Sequence, residues 1–487
     1  MENAGAKTLN DAKSNPTTTD PCLDFFFQGA AMRNQTPGFM VGKFLAAFKE
    51  DRTKALRILG WIYDCRGGAG ERDVFFHIFE FLSRNYGRIA ADHLDLIPEY
   101  GRWDMLVRLL AGDIKELVRD RILAIIRMQL ETDWENYEKG RPISLCAKWM
   151  PREGKRNEEM VKPIRQEMGL TPKGYRKTLS ALTSYLDVVE QKMCRKDWHL
   201  INYQAVPSKA AMIYREAFNR HDQDRYQDFL KAVKEGRAEI KAGQLYPYDI
   251  VRKYMKEQDY SETLELQWEN LSEIFNEGSR KSILPVVDTS GSMEVGETIK
   301  PIHVSVSLGL FLAERNPSVW GNHFITFSDN PTLQKVRGFI LKEKVNNLKR
   351  ANWSLNTNFQ EVFQLILRTA LDYKLSNDDL PQMVVVISDM EFDKAEPTNR
   401  KTNLELVKEQ FQEFGYDLPT LVFWNVDSKT SQFPAVEQDE NVVMISGFSH
   451  NIFKRVVEGS DLSPRSIMDE IINSPRYQRW GLTDRAG

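Results

Sequence analysis

Residues 282–296 read SILPVVDTSGSMEVG, and the change of character inside that stretch decides the fold. Ile283 to Val287 make a nearly unbroken apolar run, as a strand buried on both faces requires. The run stops in Asp288, Thr289, Ser290 and Ser292, a carboxylate and three hydroxyls. Downstream, a helix through Ile302, Val306 and Leu310 is followed by HFITFS, a helix from Asn358 to Tyr373, QMVVVISD, a helix ending at Gly415, TLVFWNV, NVVMIS and a closing helical segment. Short apolar runs alternating with amphipathic helices predict a doubly wound α/β sheet, in which ligands gather where strands end.

Upstream the texture is different. Phe75, Phe79, Leu82 and Tyr86 recur at helical spacing, as do Leu106, Leu110, Ile114 and Leu117, and again Leu182, Leu186, Val189 and Met193. Breaks such as CRGGAGER, PEYGRWD, TPKGY and LYPYD cut this region into short helices that pack in pairs. No fixed internal period is present, which excludes a regular tetratricopeptide or ankyrin array. The expected organisation is a flexible polar tail over 1–20, an all-α helical-repeat domain over 21–277, and an α/β domain over 278–487.

Composition narrows the function classes. The chain has 487 residues, 41% hydrophobic and 28% charged, with a net charge of −3, as an ordinary globular protein has. Its four cysteines, Cys22, Cys65, Cys146 and Cys194, lie far apart with no C-x-x-C pair, which fits a reducing compartment and neither a zinc site nor a disulfide framework. The first residues have no apolar signal region and no later run is long enough to span a bilayer, so a cytoplasmic protein without membrane attachment is expected. The charge is uneven: Pro151 to Tyr260 carries 22 basic and 16 acidic residues. A local basic surface can survive a neutral total.

Asp288, Ser290 and Ser292 form D-x-S-x-S just past a strand. Thr357, before a helix, and Asp389, after another buried strand, stand at comparable places. Five oxygen donors from three strand-end loops, with no histidine or cysteine among them, suit a hard cation such as Mg²⁺. The ion would also hold two converging carboxylates ionised. Asp288 and the serines could instead only cap a helix. Enzymatic alternatives fit the pattern poorly: Ser290 stands where a dehalogenase-type phosphatase needs its second aspartate, and the serines lack a G-x-S-x-G elbow. CRGGAGER lacks G-K-[ST] and is not a phosphate loop. No enzyme active site is expected.

On these motifs the C-terminal half resembles a von Willebrand factor A domain with a metal-ion-dependent adhesion site, in which Asp288, Ser290, Ser292, Thr357 and Asp389 would be the ligands and a partner's acidic group could complete the shell. A helical half followed by such a domain is similar to the Ro autoantigen family, whose helical TROVE module binds noncoding and misfolded RNAs; RGGAGERD (66–73) and IPEYGRWDML (97–106) look like segments of it. Across nearly the whole chain PCLDFFF, SLCAKWMPREGK, VPSKAAMIYREAFNRHD and NTNFQEVFQLIL resemble a plant, fungal and viral domain-of-unknown-function family with the same architecture. The Ro resemblance implies a HEAT-like helical ring or solenoid closed by the A domain, acting in RNA surveillance or ribonucleoprotein assembly. It departs at INYQAVPSKA, where Gln204 stands near the place of a histidine that Ro proteins use for RNA.

The residues themselves offer a footprint for RNA. Lys173, Arg176, Lys177, Lys192, Arg195, Lys196, Lys209 and Arg215 outnumber Asp187, Glu190 and Asp197, with Tyr175, Tyr185, Trp198 and Tyr203 interleaved. Cations neutralise phosphates and aromatic faces stack unpaired bases, so single-stranded ends or structured small RNAs are the expected partners. Basic residues at a helix end are also favoured by the helix dipole alone, and interleaved aromatics can be core. The other expected role is a protein-binding adaptor that grips an acidic partner residue at the cation.

Overall fold

Strand β1 (Ile283–Asp288) is buried at every residue and lies in the middle of a six-stranded sheet. With β2 (His323–Phe327), β3 (Leu333–Lys335), β4 (Met383–Ser388), β5 (Thr420–Asn425) and β6 (Val442–Ser446), the order is β3-β2-β1-β4-β5-β6. All pairs are parallel except β2 with β3, which is antiparallel at the edge. The computed structural model describes residues 6–7, 13–15, 17–256, 259–271, 281–296, 299–327, 331–349, 359–391, 403–428, 433–436, 439–450, 452–453, 456 and 463–481. The helix Pro301–Arg315 packs on β1, β2 and β4, and the helix Pro464–Ile472 on β6. Parallel strands covered in this way read as continuous apolar runs, the feature that marks them in the sequence.

The N-terminal half is helical from Pro21 to Glu269, apart from turns. Its helices start on local signals: Asp20 accepts hydrogen bonds from the amides of Cys22 and Leu23, and Thr36 and Thr171 cap the helices Pro37–Glu50 and Pro172–Tyr185, with proline at the first helical position in all three. The expected order, helical repeats and then a doubly wound α/β domain, is the one observed.

Two periodic stripes are interrupted where one continuous rhythm was expected. The helix Asp104–Leu110 ends before the helix Glu116–Glu138 begins, so Leu106 and Leu110 are buried while Leu117 is exposed. Likewise the region from Arg176 to Lys196 is two helices, Pro172–Tyr185 and Val189–Arg195, parted at Asp187, whose φ of 48° is left-handed. The Asp187 carboxylate pairs with Lys192 at 2.8 Å across that turn. The polar tail is also tied down in part: Asn15 exchanges backbone hydrogen bonds with Phe433, and Thr18 is buried with its hydroxyl on Asp24 at 2.5 Å.

Among the described residues the helical half meets the sheet domain where the helix Pro247–Lys256 packs on the helix Pro301–Arg315, and also at two further places. At the first, the helix Pro21–Gly29 lies against the carboxyl ends of β5 and β6: Ser446 Oγ donates to the Phe26 carbonyl and Ser428 Oγ to that of Gln28, both at 3.1 Å. Gly447 sits there with φ +101°, and a Cβ on it would come 2.8 Å from that of Ala30. The segment Pro475–Trp480 packs on the helix Arg52–Tyr63; the Trp480 ring occupies the space over Gly60 and the Asp64 carboxylate accepts from Arg476 and Tyr477. At the second place, Trp268 Nε1 donates to Glu314 at 2.6 Å, and Glu265 accepts from the Leu341 amide at 2.6 Å. Both junctions and the sheet share one apolar core, which includes Phe26, Tyr254 and Trp268, whereas Val189, Tyr203, Phe218, Tyr226 and Leu230 belong to a smaller separate one.

A candidate cation site at the sheet edge

Asp288 is the last residue of β1, and register puts it beside Ser388, the last residue of the neighbouring β4. Ser388 Oγ donates to Asp288 Oδ2 at 2.5 Å, while Asp288 Oδ1 accepts from the Ser290 amide at 2.9 Å. The hydroxyls of Ser290 and Ser292 lie 3.0 Å apart, within hydrogen-bond distance. Asp389, next after Ser388, is 3% exposed, and one of its oxygens accepts from the Glu391 amide at 3.3 Å. The two carboxylates interact: burial first, and then the charge of Asp389, push Asp288 well above the usual carboxylate range, against the opposing pull of the Ser388 and Ser290 hydrogen bonds.

These residues fit a hard divalent cation. Two carboxylates that repel one another, two serine hydroxyls within hydrogen-bond distance of each other, and the Thr289 hydroxyl, buried without a hydrogen-bond partner among the described residues, are all oxygen donors. Among the described residues no three carboxylate, imidazole or thiol groups cluster. Asp288, Ser290, Ser292 and Asp389 stand at the ends of two adjoining strands; three strand-end loops were expected, and Thr357, on the third, lies outside the described residues. Sequence reasoning missed Ser388 and Thr289. Ser388 had a signal, since two apolar runs that end in D-T-S and S-D place the serine of one beside the aspartate of the other once paired in parallel.

The basic footprint is divided by the structure into separate parts. Lys173, Arg176 and Lys177 are exposed on the first turns of the helix Pro172–Tyr185, with Arg176 reaching Glu153 at 3.4 Å. Arg195 donates to Ser184 at 2.7 Å near the other end of that helix, about 12 Å away at the rise of an α-helix. Lys192 is taken up by Asp187, Lys196 is exposed, and Lys209 pairs with Asp249 at 3.4 Å. Arg215 departs from the expectation: it is 7% exposed, donating to the Met212 carbonyl and Glu216, because its position on the helix Ser208–His221 faces inward. Tyr175 and Tyr203 are buried and Trp198 stacks on His221, which leaves Tyr185 as the one exposed ring of the four.

Comparison with known proteins adds family context. Residues 282–474 match a domain of unknown function (DUF7788) and residues 166–280 match another domain of unknown function (DUF2828). The chain is 27% identical over 504 residues to Uncharacterized protein L728 of Acanthamoeba polyphaga mimivirus, an alignment covering 96% of this chain and 86% of that one. It is similar to the crystal structure of the Deinococcus radiodurans RO (RSR) protein, at 14% identity over 94% of this chain and 99% of that one, with a TM-score of 0.46. The two domain matches meet between residues 280 and 282, where the chain passes from its helical half into strand β1.

Proposed function

We propose that this chain is a non-enzymatic, Ro-like RNA-binding protein whose sheet domain holds a divalent cation. The observation that carries the RNA reading is the exposed group Lys173, Arg176 and Lys177. Most arginines near it are engaged by carboxylates or carbonyls, yet among the described residues Lys173 and Lys177 make no ion pair. Unpaired cations on one helical turn are suited to phosphate. The hydroxyls of Ser290 and Ser292 lie within hydrogen-bond distance of each other beside the Asp288 carboxylate, an oxygen-rich setting that supports a binding role for the cation. All four cysteines are free, which supports a reducing, cytoplasmic setting. Among the described residues no helix is long and apolar enough to cross a membrane.

The test is fluorescence anisotropy with a labelled single-stranded RNA across a salt series. Affinity should fall linearly on a log–log plot, and replacing Lys173, Arg176 and Lys177 together by alanine should reduce the slope by about 2, at roughly 0.7 per phosphate contact. Absence of binding at low salt, or a slope the triple variant leaves unchanged, would remove the reading.

A second reading, a protein adaptor that grips an acidic partner residue at the cation, is favoured by the exposure of Gly291, Glu294 and Val295 beside the site. Both readings include the ion, but only the adaptor uses it to hold its partner. Mg²⁺ at 100 times its Kd should stabilise the protein by about 2.7 kcal/mol in thermal melts. Asp288→Asn should abolish that increment while relieving the carboxylate repulsion in the ion-free protein. Loss of a protein partner in this variant with RNA affinity intact would favour the adaptor.

A further inference from the structure

The cation site and the helical half are joined by a short physical path. Ser292 lies on the 3-10 turn Gly291–Glu294, and that turn leads to Gly296, whose φ is +116°. A Cβ at Gly296 would stand 3.6 Å from both Asn34 Nδ2 and Asn34 Oδ1. Asn34 belongs to the helical half and also donates to Asp427 Oδ1 at 3.4 Å, in the loop beyond β5. That loop is fixed to the other arm of the site, because the Val426 amide donates to the carbonyl of Ser388, the residue whose hydroxyl holds Asp288. Asn34 therefore lies between two loops, each attached to a different group of ligands. Its neighbour Arg33 continues inward through a bidentate pair with Glu71, at the start of the helix Arg72–Asn85.

We propose that the helical half senses occupation of the cation site through Asn34, a positioning residue set between the Gly291–Gly296 turn and the Asp427 loop. The proposal rests on the cation reading above. Its physical basis is the Ser290–Ser292 hydrogen bond. A cation that takes lone pairs from both hydroxyl oxygens changes how those hydroxyls are aimed, and Ser292 moves with the turn that ends against Asn34. Because coupling between sites is reciprocal, a ligand bound to the helical half would alter cation affinity by the same factor.

Hydrogen exchange with and without Mg²⁺, beside calorimetry of Mg²⁺ binding, tests this. Informative amides are that of Gln35, which closes the Asn34 turn on the Met32 carbonyl, that of Ala31, which donates to the Gln28 carbonyl just before the turn, and that of Ser428, which donates to the Ala31 carbonyl. In the full-length protein Mg²⁺ should slow exchange at residues 291–296 and, by about 5-fold or more, at 31–35 and 428. Asn34 is exposed, so Asn34→Ala should fold; it should bind Mg²⁺ and keep the effect at 291–296 while losing it at 31–35. Protection in the unsubstituted protein confined to 288–296 and 388–391, or an Asn34→Ala protein that retains protection at 31–35, would overturn the proposal. Absence of Mg²⁺ binding in calorimetry would instead remove the cation reading on which it stands.

Discussion

An Arg33→Ala variant should lose about 3–5 kcal/mol of stability at neutral pH, and the loss should shrink as the pH falls. Glu71 is 1% exposed, and both of its carboxylate oxygens accept from Arg33, Nε at 3.0 Å and Nη2 at 2.7 Å. The guanidinium also lies 4.5 Å over the Phe448 ring, so the pair ties the helical half to the end of the sheet. Even with Arg33 in place, burial outweighs its attraction and holds the Glu71 carboxyl above its ordinary value of 4.5. Removing the guanidinium leaves a buried anion with its chief counter-charge gone, the costly case, and raises that carboxyl further. A carboxyl whose folded value is raised contributes stability that is fully present below its unfolded value and lost as pH rises through the folded one. The variant's deficit should therefore be larger at pH 7.5 than at pH 5 in paired denaturant titrations. Equal deficits would show that Glu71 is not an isolated buried charge in the variant. The double replacement Arg33→Met with Glu71→Leu should be close to neutral, because it removes both charges and keeps the volume.

That pair was invisible in the sequence, and the reason is general to what could and could not be read. Strands β1, β2, β4, β5 and β6 are legible because burial on both faces leaves only apolar residues, and they coincide with the runs SILPVVD, HFITFS, QMVVVISD, TLVFWNV and NVVMIS. The edge strand LQK is three residues with two of them polar, too short to show a period. Pro285 would even argue against a central strand, since it cannot donate to the ladder, yet β1 pairs on both sides. In the helical half, periodicity reports which face is buried and not whether the helix is continuous. A left-handed Asp187 and the break before Glu116 leave the apolar rhythm intact in sequence while interrupting it in space.

At the candidate site the carboxylates and hydroxyls were legible because a hydrophilic cluster directly after a buried strand has few structural explanations. The basic footprint was less legible, because sequence proximity does not fix which side of a helix a cation occupies. Lys173 and Lys177 face solvent, but Arg215, of the same chemistry and nearby in sequence, is turned into the interior. Contacts between residues hundreds of positions apart, such as Asn34 with Asp427, leave no local pattern at all.

Mild acid should destabilise the protein through His450, by about 2 kcal/mol at pH 5 and by up to about 5 kcal/mol near pH 3. The imidazole is 2% exposed, and among the described residues neither ring nitrogen has a hydrogen-bond partner. It packs 4.8 Å from the Phe311 ring, whose own neighbour is the Arg315 guanidinium at 4.1 Å. Burial, and then the charge of Arg315, bring its value from 6.5 down to about 3. For a histidine lowered in the folded state, the stabilising contribution is complete above 6.5 and is lost as the pH falls, because the unfolded chain takes up the proton and the folded one does not. His303, lowered to about 4 by burial and then by Arg252 and Lys256, adds in the same direction. His450→Leu separates the two: it should be neutral or stabilising at pH 7.5, since two unpaired buried nitrogens are replaced by apolar volume, and should become markedly more stable than the parent by pH 5. A stability difference between parent and variant that stays constant from pH 7.5 to pH 5 would mean that His450 takes up its proton while the protein remains folded. The packing of the segment after β6 against the helix Pro301–Arg315 would then be open to water, contrary to the burial seen here.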